Sequence, residues 1–146
     1  MIADTIQLAV APVFLLVAVG NLLNVLSSRL GRVVDRSRKL QERHGKTHGP
    51  EHDMVVREIR MIDRRITLID RAILLLVLSG LAVGVTVTLL FLQDFFGTDL
   101  IVPAAAGFLL AIGFLMTALL YLLRETREAG RALRIPADFL ELERKL

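Results

Sequence analysis

Three stretches of this chain carry almost no charge and are each long enough to cross a bilayer: Ile6–Leu26, Ala72–Phe96 and Leu100–Leu123. A helical span needs about 20 mostly apolar residues. None of the three holds a Lys, Arg or Glu, and their one Asp is Asp94, near the end of the second. With 54% of the 146 residues hydrophobic, the polar remainder is too small to cover three such helices in water. The expectation is an all-α membrane protein with three transmembrane helices. Only Asp4 precedes the first block as a charged residue, so there is no positively charged leader region, and the block is expected to be a retained span. No cysteine is present, which excludes disulfide and thiol chemistry.

Charge orients the spans. All 18 Lys and Arg residues fall in two stretches, 29–71 between the first and second blocks and 124–145 after the third. The other side has only Asp4, Asp94 and Asp99. The positive-inside rule then places the N-terminus outside, the 27–71 segment and the C-terminus in the cytoplasm, and the 94–99 turn outside. The basic residues are interleaved with Asp35, Glu42, Glu51, Asp53, Glu58, Asp63 and Asp70, without aromatic residues for base stacking. Nucleic acid is therefore not an expected partner. Anionic lipid headgroups suit Arg29, Arg32, Arg71 and Arg124, which adjoin the spans.

The charged middle carries a second pattern. Leu26, Leu30, Val33 and Leu40, with Ser37 in the remaining slot, step by four and three, as do Val55, Ile59, Ile62, Ile66, Ile69 and Ile73. Such spacing is the seam of a helix packed on another helix. Counted inward, 26 faces 73, 30 faces 69, 33 faces 66, 37 faces 62 and 40 faces 59. This predicts an antiparallel helical hairpin over about 27–71, continuous with the first two spans, with its seam at Leu30, Val33, Leu40, Ile59, Ile62, Ile66 and Ile69. The helices are expected over about 6–43, 51–95 and 103–130, broken by His44–Pro50 and by Gly97. A single membrane domain over 1–130 and a short cytoplasmic tail over 131–146, with Phe139, Leu142 and Leu146 on one side, complete the layout. Burying so few seam residues does not offset the entropy of ordering both legs, so the hairpin depends on its spans. The row Met54, Met61 and Leu68 lies beside the seam, available to a neighbour or to flank packing.

Few residues suggest chemistry. Asn21 and Asn24 lie three apart within the first block and share a face, so in lipid they need hydrogen-bond partners at an interface or along a pore. Gly80 and Gly84 form a G-x-x-x-G that permits close helix approach, and Gly107 with Ala111 is a weaker version. Asp70 has no basic residue three or four positions away, so its partner is expected from another helix, with Arg29 and Arg124 as candidates or an arginine of a neighbouring subunit. His44, His48 and His52 repeat every four residues, but Gly45, Gly49 and Pro50 interrupt any helix that would align them, and no metal site is expected. No nucleophile–base pair or phosphate-cradling loop is visible, so neither catalytic residues nor a cofactor are expected.

The stretches Ile6–Leu16, Asn21–Leu26 and Arg29–Arg36, together with Arg64–Ile73, resemble a family of small bacterial integral-membrane proteins known only as a domain of unknown function. The resemblance covers roughly residues 6–125. It implies a bacterial inner-membrane location and three spans, and no activity or ligand. On this basis the chain is expected to be a non-enzymatic homo-oligomer, its coiled-coil hairpin serving assembly or partner binding. An oligomeric ion channel lined by the first span, or an accessory subunit of a larger membrane complex, are the alternatives.

Overall fold

The computed structural model describes residues 2–132; the tail positions Phe139, Leu142 and Leu146 lie outside the described residues. Three helices account for nearly all of it: α1 (Ile2–His44), α2 (Pro50–Phe96) and α3 (Ile101–Ala132). All three are long and apolar enough to cross a membrane. At about 1.5 Å per residue, α1 and α2 reach roughly 65–70 Å, twice the ~30 Å of a hydrocarbon core. Nothing in either helix interrupts it at the change from apolar to charged sequence. Pro12 is buried inside α1 without ending it.

The two connections are short and locally built. After α1, the Lys46 N–H and the Thr47 hydroxyl both donate to the Arg43 carbonyl, at 2.9 and 3.2 Å. Gly49 then takes φ 68°, and Pro50 opens α2. Proline is suited there, since its missing N–H falls among the first-turn donors that have no helical acceptor. At the far end Gly97, at φ 66°, closes α2 by donating its N–H to the Gln93 carbonyl. The Gln93 side chain accepts the Leu100 N–H and Asp99 accepts that of Ile101, so two donors at the start of the next helix are met.

Helix α2 is central: α1 and α3 each pack along it. Arg36 of α1 pairs with Glu58 of α2 near one end, and Leu16 and Val19 lie closest to Gly80 further along, so the two helices run antiparallel. Along the α1–α2 contact the buried residues recur at every seventh position: Val19, Leu26, Val33 and Leu40 on α1, and Val55, Ile62, Ile69, Leu76 and Val83 on α2. Leu30, Ile59 and Ile66 pack beside them, half-buried.

The register differs from the one counted in sequence. Arg36 meets Glu58, and Arg29 and Arg65 meet on one carboxylate, which brings Val33 level with Ile62 rather than Ile66. Leu26 then aligns with Ile69 and Leu40 with Val55. The pairing centres between Thr47 and His48, within the turn. The shift keeps every seventh position facing its like, Leu26, Val33 and Leu40 against Ile69, Ile62 and Val55, but sets Leu30 level with Arg65, so a count that pairs every seam residue misses it.

Candidate functional site

The α2–α3 contact is made of small residues. Ala104, Ala111 and Ala118 of α3 are buried, and so are Ala72, Ser79 and Thr86 of α2, each set spaced by seven. The Ser79 hydroxyl donates to the Ala111 carbonyl at 2.8 Å. A Cβ built on Gly107 would stand 2.8 Å from Thr86 Oγ1, closer than real atoms approach. Within the chain the close approach falls at Gly107 and Ala111, the weaker of the two small-residue pairs in the sequence, rather than at Gly80 and Gly84. A Cβ on Gly80 would meet only ordinary contacts from α1, and one on Gly84 would meet nothing within 4 Å. The closely approached glycine is Gly107, because Ser79 and Thr86, rather than Gly80 and Gly84, occupy the α2 face turned to α3.

The next position in the α3 series is Glu125, which is 0% exposed. Its Oε2 accepts from Arg29 of α1 at 2.9 Å, and its Oε1 accepts from Nε and Nη2 of Arg65 of α2 at 3.1 and 2.8 Å. Arg29 also donates to the Thr126 hydroxyl. One carboxylate therefore ties all three helices together, just beyond the apolar blocks. One bond from Arg29 on Oε2 and two from Arg65 on Oε1 provide the compensation that a buried carboxylate needs. Among the described residues no buried polar side-chain atom lacks a hydrogen-bond partner. Arg64 adds an exposed pair with Glu128.

This cluster revises the expected ion pair. Arg29 is engaged by Glu125, while Asp70 and Arg124 are exposed and form no salt bridge among the described residues. Asp70 points away from the α1–α2 seam because its neighbour Ile69 occupies it. In the sequence Glu125 resembles a solvated residue, because it sits with Glu128 among Arg124, Arg127 and Arg131 just after a span. The signal available was its place seven residues beyond Ala118, in line with Ala111 and Ala104.

Asn21 and Asn24 lie on the outside of α1, exposed and without a hydrogen bond among the described residues. They belong to a longer row, Val10, Phe14, Val17, Asn21, Asn24, Ser28, Gly31 and Asp35, stepping by four and three. Every member is exposed, and the row lies opposite the buried face of Val19, Leu26 and Val33. α1 thus carries two seams, one covered by α2 and one uncovered. Met54 and Met61 are likewise exposed, and Leu68 is half-buried. At the tip, the rings of His44 and His52 are 4.5 Å apart. Among the described residues no three His, Cys, Asp or Glu side chains gather as a metal site would require.

A central helix flanked by two antiparallel neighbours, all three long and apolar enough to span a bilayer, defines the class as a multi-pass helical membrane protein. A family model described as "Protein of unknown function (DUF2721)" matches residues 9–135, and the chain belongs to that family. No curated protein and no solved structure matches the chain.

Proposed function

We propose that this chain is a non-enzymatic, homo-oligomeric protein of the bacterial inner membrane, assembled through the outer seam of α1. The carrying observation is the exposure of Asn21 and Asn24 inside an apolar block. An amide facing lipid lacks the water it would bond outside the membrane, whereas the same row on a second copy supplies reciprocal amide partners. The positive-inside pattern supports an N-terminus outside and a cytoplasmic hairpin formed by the charged halves of α1 and α2, with Arg71 and Arg124 at the headgroups. In this reading the hairpin organises subunits or holds a partner, and no step of catalysis is assigned to it.

The chain has no cysteine, so single substitutions report directly on symmetry. Oxidation of Asn24→Cys in native membranes should yield a crosslinked dimer, while Leu81→Cys, exposed on α2, should stay monomeric. Monomer from both, or equal dimer from Leu81→Cys, would remove the α1 interface. The polar part of the same row favours a second reading, a channel whose pore the Asn21–Asn24 face lines. Conductance in planar bilayers that changes on Asn21→Leu would select the channel over the scaffold.

A further inference from the structure

A cleft of about 800 Å³ opens between α1, α2 and the end of α3, beside the Glu125 cluster. Four guanidinium groups line it, from Arg29, Arg32, Arg36 and Arg65, over a floor that includes Met61 and Ile62. Glu58 is the one acid in the lining. Glu58 is held by Arg36, and Glu125 by Arg29 and Arg65, so positive charge is in excess. Arg32 forms no salt bridge among the described residues.

The pairs that do form leave donors free. Arg36 and Arg65 each spend Nε and Nη2 on a carboxylate, and Arg29 spends Nη1, so each keeps N–H groups unused. Planar guanidinium forks match the oxygens of a phosphate. The height fits as well. Arg29, about 5 Å past Leu26 along α1, falls at the level of the headgroups, and Arg32 and Arg65, about 9–10 Å beyond the apolar blocks, stand just above it with side chains long enough to reach down. A headgroup layer begins at the edge of the hydrocarbon and extends about 5–7 Å.

We propose that this arginine-lined cleft is a binding site for the phosphate of an anionic phospholipid headgroup. The inference rests on the reading that the chain spans a bilayer. A zwitterionic headgroup would bring its own cation into a cleft that already has surplus positive charge, so the site selects net-negative lipids.

Native mass spectrometry of the full chain, released from detergent with added phosphatidylglycerol or phosphatidylcholine, tests this. Phosphatidylglycerol should be retained and phosphatidylcholine lost. Arg32→Gln should reduce retention about fivefold to tenfold, roughly the effect of one basic contact near a membrane surface. Arg38→Gln, the same charge change on the opposite face of α1, should leave it unchanged. Arg32 is exposed and unpaired within the described residues, so circular dichroism should be unaltered in the variant. Equal losses in both variants, or retention in Arg32→Gln, would overturn the site in favour of diffuse charge attraction. Inorganic phosphate that displaces the lipid at equal concentration would overturn the lipid as its occupant. Crosslinking of Asn24→Cys in the same preparations separates the two proposals. Lost lipid with an intact crosslink removes the cleft site alone, and retained lipid without a crosslink removes the α1 assembly alone.

Discussion

The two faces of α2 are built from opposite materials. Toward α1 it presents Val55, Ile62, Ile69 and Leu76, large apolar side chains that meet others of their kind. Toward α3 it presents Ala72, Ser79 and Thr86, which meet Ala104, Gly107, Ala111 and Ala118. Large residues gain from leaving water, so a seam of them continues to hold where α1 and α2 extend beyond the apolar blocks. Within lipid that gain disappears, since the acyl chains are as apolar as leucine. There, close approach and an occasional hydrogen bond such as Ser79 to Ala111 have to suffice. Helix α3 stays close to the apolar zone and uses the small-residue solution. Helix α1 runs well past it and uses the large-residue one.

Removing the charge that ties both seams should have the largest effect. Glu125→Ala leaves Arg29 and Arg65 without their shared acceptor and opens a void. A loss of about 3 kcal/mol is expected, at the low end for a buried pair because both arginines can turn toward water. Unfolding of the detergent-solubilised chain by stepwise addition of sodium dodecyl sulfate, followed by circular dichroism, measures it. A neutral result would make the cluster ornamental and leave the two seams independent.

Ile69→Ala should cost about 2–3 kcal/mol in the same titration, as a fully buried truncation whose cavity closes only partly. Gly107→Ala should cost less, about 1–2 kcal/mol, because the new Cβ forces Thr86 from the position where its hydroxyl donates to Ala82. Gly84→Ala, with open space around it, is the matched control and should be neutral or slightly stabilising. If Gly84→Ala proved the more harmful of the two, the small-residue face of α2 would have to be reassigned. Among the destabilising changes, the smallest effect belongs to Glu58→Gln. The Arg36–Glu58 pair is largely solvated, and a loss under about 0.5 kcal/mol is expected.

Element boundaries were largely legible in the sequence, because Pro50 and Gly97 are strong punctuation and the apolar blocks are long. Helices expected over 6–43, 51–95 and 103–130 span 2–44, 50–96 and 101–132. Register was not legible, since the count that pairs every seam residue differs from the packing, which centres on every seventh one. Val33→Cys should crosslink more efficiently with Ile62→Cys than with Ile66→Cys, and the reverse would restore the pairing counted from sequence. The ion-pair cluster was not legible either. Asp70 lacks local partners in the sequence, yet the acid that joins the helices is Glu125. Its partners are 96 and 60 positions away and meet it only once three helices are assembled.

Because α1 passes from its apolar half to its charged half without a joint, lean and displacement are geometrically linked. The 17 or so residues from Leu26 to Arg43 form an arm of about 26 Å. Each degree of lean at Leu26 therefore carries the far end sideways by about 0.5 Å, a gearing set by helix length alone.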